Sequence, residues 1–267
     1  MKFGLLKTNL SVIQKICLSG LFIALVVILQ KVVAINYLGF APFVRISFGG
    51  PALIIFASIL LGPIYGAFIG MASDLLGYLI FDPRMYPPYL QITAIYTVLG
   101  FVSYFIFSFV FSIKNRKALS IIEIIVLALI WAAVSAYVMF SSQITLFSST
   151  YDVPMLTKVL VPSLLGVMFV GVILFSLLIK PKDNNILTSP LHICFASFIC
   201  DFFVLVLFGS VMKAWAFGFA TFLAIILCQA MVMFVNIVLD TCFISTFQRF
   251  AKKYYVEDSY ERRKETE

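Results

Sequence analysis

Charged residues are scarce in this chain, and their scarcity indicates a membrane protein and not a soluble one. Only 12% of its 267 residues are Asp, Glu, Lys or Arg, whereas 63% are hydrophobic, and the mean hydropathy is +1.09. A soluble domain averages about 25% charged residues, so this chain has too little polar surface to face water. In a bilayer the backbone must pair its own polar groups, as helices or as a closed barrel. The apolar runs are far longer than the roughly 10-residue alternating strands of a barrel, which predicts an all-α polytopic bundle.

Motifs for nucleotide hydrolysis and for hydrolytic chemistry are also absent. The chain has no GxxxxGK[ST] phosphate loop, no HExxH and no GxSxG, and its single histidine, His192, is interpreted as structural. Its five cysteines lie singly in apolar runs, as packing residues do. We expect no enzymatic activity, no cofactor, no metal site and no nucleic-acid partner. A transport function would need energy from another subunit.

Apolar runs and their breakers predict about eight spans. They lie at about 11–34, 46–61, 63–81, 90–112, 119–142, 155–179, 190–210 and 216–248. Residues 45–81 are too long for one span, and Gly62-Pro63 divides them, because proline lacks an N–H and disfavours helix in the residue before it. We expect residues 1–248 to form one transmembrane domain and residues 249–267 a polar cytoplasmic tail.

The positive charges predict an orientation in which both termini are cytoplasmic. This placement puts 14 of the 19 basic residues inside, as the positive-inside rule requires. They are Lys2, Lys7, Lys15, Lys114, Arg116, Lys117, Lys180, Lys182, Arg249, Lys252, Lys253, Arg262, Arg263 and Lys264. We therefore predict a multi-pass protein of the cell membrane.

Four small or acidic residues share one face of the third span. Gly62, Gly66, Gly70 and Asp74 are spaced by four, which stacks them along a helix. The glycines are typical of a helix-packing seam. A carboxylate inside a span is costly and usually faces a cavity or a partner. Asp74 is therefore either a ligand-binding group or a buried hydrogen-bond partner of a neighbouring helix.

The remaining basic residues lie near the ends of spans on the extracytoplasmic side, among aromatic and polar residues. They are Lys31, Arg45, Arg84, Lys158 and Lys213, interleaved with Tyr37, Phe48, Tyr86, Tyr89, Gln91, Gln143 and Trp215. A rim of this kind suits a flat anionic ligand, through stacking and charge-assisted hydrogen bonds. Snorkelling cations and an interfacial aromatic belt would give the same pattern without a ligand.

Small and acidic residues elsewhere also stand out. Gly20 and Ala24 form a smooth patch on the first span, where another helix could lie. Asp201 and Asp240 lie within the last two spans, and a polar contact between those spans is their simplest interpretation. An intramembrane enzyme would instead need both of them to converge with Asp74.

Two stretches resemble the second and third helices of the S components of energy-coupling factor (ECF) transporters. Residues 45–49 read RISFG and residues 62–77 read GPIYGAFIGMASDLLG, similar to the GPxxGAxxGxxxDxxG helix of that family. Residues 86–94, YPPYLQITA, are similar to its YFPGFTLSA stretch. The resemblance is strongest to the folate-type members and covers about residues 44–112. Met212-Lys213-Ala214-Trp215 is weakly similar to the family's YGKAF loop.

The resemblance implies a subunit that captures a folate-like vitamin outside the cell. It would work with a transmembrane T subunit, docked through Gly20 and Ala24, and with two ATPase subunits. The implied ligand-binding residues are Arg45, Asp74, Arg84 and Tyr86, and the rim adds Gln91, Lys213 and Trp215. A six-span core then carries one extra hairpin, either residues 119–180 or residues 190–248. Alternatives are an S component for riboflavin, pantothenate or a queuosine precursor, and a membrane scaffold that binds lipid headgroups.

Overall fold

The structure is a computed structural model that describes most of the chain as helix. The described residues are 10–33, 35–38, 41–46, 49–81, 89–113, 115–146, 149–178, 189–219 and 222–251. The helices are α1 (Val12–Val27), α2 (Gly50–Leu61), α3 (Pro63–Phe81), α4 (Leu90–Ser112), α5 (Arg116–Phe140), α6 (Met155–Leu178), α7 (Pro190–Cys200), α8 (Gly209–Phe217) and α9 (Phe222–Ala251). Within these ranges, seven helical segments are long and apolar enough to cross a membrane, which confirms the predicted helical bundle.

Two antiparallel hairpins connect helices at one end of the bundle. Strands β1 (Ile35–Leu38) and β2 (Ala41–Ile46) pair after α1, and strands β3 (Gln143–Leu146) and β4 (Ser149–Asp152) pair after α5. Because successive helices alternate in direction, both hairpins lie at the same end, here called the hairpin end. The opposite end, where α1 begins and α9 ends, is called the terminal end. The prediction of helix from residue 46 was wrong, because the chain is still strand there.

The second predicted span is a short helix enclosed by the rest of the protein. α2 has 12 residues, and every one of them is buried. At 1.5 Å a residue its length is about 18 Å, well short of the roughly 30 Å hydrocarbon core. A helix surrounded by protein does not have to cross the bilayer. As predicted, α2 ends at the Gly62-Pro63 turn, where Gly62 has a φ of +105° and α3 begins at Pro63.

The predicted break between residues 210 and 216 is absent. α7 continues through a π-helical segment, Asp201–Phe208, into α8 without interruption. The helix ends at Phe217 because Gly218 adopts a φ of +102°, a conformation that favours glycine. Lys213 and Trp215 therefore lie on a helix and not in the loop that the YGKAF similarity predicted.

Glycines bring α3 and α4 into backbone contact. A methyl group at Gly66 would lie 2.5 Å from Gly100 O, and one at Gly70 would lie closer than 3.0 Å to Tyr96 O. Gly66 and Gly70 therefore act as small residues that let the two backbones approach. Gly62 does not pack in this way, since nothing lies within 4 Å of its methyl position. The prediction that Gly62 belongs to the packing seam was wrong, and Gly62 instead forms part of the Gly62-Pro63 turn.

The helices divide into a packed core and a peripheral pair. α9 packs against α2, and α7 and α8 pack against α4. α2, α3 and α4 pack against one another, and α1 packs against α2 and α3. The α5–α6 hairpin packs mainly within itself and against α7 and α9. His192 Nε2, at the start of α7, donates to Ile113 O, just after α4, at 3.0 Å. The chain therefore leaves the core for α5 and α6 and returns to it at nearly the same place.

Candidate functional site

Asp74 is buried on α3 and hydrogen-bonded to the next helix. Its side chain is 9% exposed, and the Thr93 hydroxyl of α4 donates to Asp74 Oδ2 at 2.7 Å. Thr93 is itself buried in the first turn of α4, at the hairpin end. Hydrogen bonding of this kind satisfies one of the carboxylate oxygens that burial would otherwise penalise. Sequence reasoning missed Thr93, although a threonine at the start of the span that follows Asp74 was the available signal.

Lys31 of α1 lies along α3 one turn further towards the hairpin end. It belongs to a π-helical turn, Ile28–Val32, that continues α1. Its side chain crosses Gly77, where an added methyl group would meet Lys31 Cε at 2.7 Å. Gly77 follows Asp74 by three residues and so lies on the same helix face. The Lys31 side chain is thus half-buried against α3, about one helical turn from Asp74 along that helix.

Aromatic residues join α4 to α8 at the same end of the bundle. The rings of Tyr89, just before α4, and Phe217, at the end of α8, have centroids 5.2 Å apart. Gln91 and Lys213 are half-buried, whereas Trp215 is 63% exposed. A row of residues crosses the hairpin end and is here called the rim row. It consists of Lys31, Asp74, Thr93, Tyr89 and Phe217.

Several predicted ligand-binding residues lie outside the described side chains. Arg84 and Tyr86 fall in the segment 82–88, which the structure does not describe. Arg45 is placed in β2 opposite Asn36, but its side chain is outside the described part. Of the predicted set, the structure therefore describes the side chains of Asp74, Gln91, Lys213 and Trp215.

Asp201 and Asp240 lie on segments that pack against each other, the π-helical segment Asp201–Phe208 and α9. Both residues are buried, at 0% and 1% exposed. Among the described residues, neither interacts with Asp74, and no group of three or more His, Cys, Asp or Glu residues could hold a metal ion. The polar contact expected between the last two spans stays a prediction.

The small residues of α1 face away from the bundle. Gly20 and Ala24 are both exposed, and no atom lies within 4 Å of the methyl position at Gly20. Large apolar side chains that are also exposed surround them, among them Leu21 and Leu25 at 57% and 37%. This face of α1 is smooth and apolar, and in this chain it meets lipid or another protein.

These observations define a helical membrane protein with a polar row at its hairpin end. The family model that matches the sequence is the ECF-type riboflavin transporter, S component, over residues 10–182. The match covers more than half of the chain, and the chain belongs to this family. The prediction of an ECF S component is confirmed, while the particular likeness to folate-type members is not supported by this match.

Comparison with curated proteins and with solved structures gives no match. The family match stops at residue 182, before α7, although α7 to α9 complete the packed core. The match includes α5 and α6, the peripheral pair of this structure.

Proposed function

We propose that this chain is the substrate-binding S component of an ECF transporter and captures riboflavin or a similar flat vitamin. The family match over residues 10–182 carries this proposal. Riboflavin is the first candidate because the matching family is described by it. A folate-like vitamin is the second, because residues 45–49 and 62–77 resemble the folate-type motifs.

The ligand site we propose lies at the hairpin end, bordered by the rim row. Asp74 supplies a hydrogen-bond acceptor, while Tyr89 and Phe217 offer apolar ring surface to a flat heterocycle. The short helix α2 supports this location, because a helix of about 18 Å that ends at the terminal end leaves the space beyond its start for other groups. Arg45, Arg84, Tyr86, Gln91, Lys213 and Trp215 remain proposed contacts.

We propose that the hairpin end faces the outside and that both termini are cytoplasmic. The distribution of basic residues supports this orientation. Energy would come from a T subunit and two ATPase subunits, with the T subunit docked on α1 at Gly20 and Ala24. The exposure of both residues supports a docking face.

The peripheral packing of α5 and α6 supports their assignment as the addition to a six-helix core. In that assignment α1 to α4, α7 with α8, and α9 are the six spans. The close approach of Ile113 to His192 supports it further, since the two ends of the addition meet.

The test is ligand binding by the purified protein in lipid nanodiscs. Riboflavin, folate, pantothenate and a queuosine precursor are titrated separately, and riboflavin is also followed by quenching of its fluorescence. We expect saturable binding of one vitamin at one site per chain. Asp74→Asn should weaken it, whereas Gly171→Ala, on the outer face of α6, should not. A folded sample that binds none of the four compounds would contradict the proposal.

A further inference from the structure

A buried glutamine at the end of α1 carries a hydrogen-bond donor that no described residue accepts. Gln30 belongs to the π-helical turn Ile28–Val32, and its side chain is only 2% exposed. Its amide nitrogen, Nε2, is buried and has no hydrogen-bond partner among the described residues. Folded proteins pair most buried polar atoms, so an unpaired one calls for a physical account. π-helical turns are also frequent at functional positions.

The amide of Gln30 lies against the first residue of α2. α1 packs against α2, and a methyl group added at Gly50 would overlap Gln30 Cγ and lie 3.1 Å from Nε2. The amide can reach this place only because Gly50 has no side chain. Gln30 directly precedes Lys31 of the rim row, so the start of α2 borders the proposed ligand site.

The start of α2 offers a second donor beside the amide. Its N-cap residue is Gly49, and no side chain caps the helix there. The first N–H groups of a helix have no acceptor within it, and the positive end of the helix dipole favours a partial negative charge at that place. The N–H of Gly50 and Gln30 Nε2 are therefore neighbouring donors, and both suit an oxygen acceptor.

The other surroundings of this helix start are apolar. The ring of Phe243 on α9 covers Gly49, with Cε2 only 2.8 Å from the methyl position there. Lys31, the next residue after Gln30, extends over Gly77 of α3 instead. A neutral acceptor costs far less to bury in such a place than a charged group does. The surroundings therefore favour the carbonyl oxygen of an uncharged ring over a carboxylate or a phosphate.

We propose that Gln30 and the start of α2 hold a ring carbonyl oxygen of the vitamin, to which Gln30 Nε2 donates beside the N–H of Gly50. The inference rests on the proposed function, since it names the part of the vitamin that the same site takes. Flavin and pterin rings both carry a carbonyl group on their pyrimidine ring, and their side chains leave from another ring. The pyrimidine edge therefore faces α2, and the side chain of the vitamin points towards the rim row.

Thermal denaturation of the ligand-free protein tests whether Gln30 already has a structural partner. Gln30→Met keeps the length of the side chain and removes its polar atoms. Because the donor is unpaired, the variant should melt at the same temperature as the wild type or at a higher one. A lower melting temperature would identify Gln30 as a capping side chain of α2, and it would overturn the proposal whether or not any vitamin binds.

Vitamin titrations in nanodiscs test the contact itself. Gln30→Met should weaken riboflavin binding by about 5- to 100-fold, because the ring carbonyl is then buried without that donor. Lumichrome, the flavin ring without its ribityl chain, should lose affinity by the same factor. Gln14→Met, the same substitution at the exposed start of α1, should change neither affinity. Folate and pterin serve as the pair of probes if folate is the vitamin that binds.

Three outcomes of these titrations would overturn the inference. Equal affinity of the wild type and Gln30→Met for riboflavin would overturn it alone and leave the proposed function standing. A loss of affinity for riboflavin but not for lumichrome would place the donor at the ribityl chain, and it would likewise overturn the ring contact alone. Failure of the folded wild type to bind any vitamin would overturn the proposed function, and the inference with it.

Discussion

Replacement of Gly66 by alanine tests the backbone contact between α3 and α4 most directly. The added methyl group would lie 2.5 Å from Gly100 O and 2.6 Å from Ser58 Cβ, so backbone and side chain block it on two sides. Ordinary carbon–oxygen contacts are about 3.3 Å or longer, and the helices would have to separate by about 0.8 Å. Overpacking of this size destabilises a well-packed interior by about 1–3 kcal/mol.

The assay is the apparent melting temperature of the purified protein in detergent, measured at one scan rate. Gly66→Ala should lower it by roughly 2–12 °C, given a shift of about 2–4 °C per kcal/mol for a chain of this size. Gly171→Ala is the matched control, because Gly171 is also a helical glycine in a span but has no atom within 4 Å of its methyl position. Alanine favours helix over glycine, so the control should be unchanged or more stable. Equal melting temperatures for the two variants would refute the close backbone contact between α3 and α4.

Three further predictions concern Thr93, the α5–α6 pair and Gly20. Thr93→Val removes the donor to Asp74 and should cost about 1–3 kcal/mol of stability, measured by thermal denaturation, whereas Thr93→Ser should restore most of it. Deletion of residues 116–188, with Asn115 joined to Ser189, should leave vitamin affinity within about threefold of wild type in a titration. The reason is that lipid replaces the lost apolar contacts. Loss of all binding by a folded product would contradict the peripheral role of α5 and α6. Gly20→Leu should abolish copurification with a T subunit and leave vitamin binding intact, while Gly171→Leu, equally exposed, should affect neither.

The long apolar helices could be predicted from the sequence because hydrophobic length is the main constraint in a bilayer. The Gly62-Pro63 turn was also predictable, since both residues restrict the backbone locally. The boundary at residue 46 was not, because an apolar strand and an apolar helix have similar composition over six residues. The continuation of α7 through Asp201 into α8 was missed because a π-helical turn has no sequence signature in this chain.

The candidate site was predictable only in part. Asp74 is conspicuous as an acidic residue in a span, but its partner Thr93 is 19 residues away and is brought near by the packing of α3 and α4. The packing of α2 against α9 joins two helices that are far apart in the chain, and no local pattern indicates it. Which hairpin lies outside the core was likewise left open by the sequence, since both are equally apolar.

The direct contact between the backbones of α3 and α4 has a mechanical consequence. Where Gly66 meets Gly100 and Gly70 meets Tyr96, there is no side-chain layer that could slide or repack. These two helices therefore move together as one rigid body, and a change of shape that admits or releases a ligand has to take place at another boundary. The junctions of this pair with α1 and with α8 are two such boundaries, because Lys31 and the Tyr89–Phe217 contact provide long or planar side chains there.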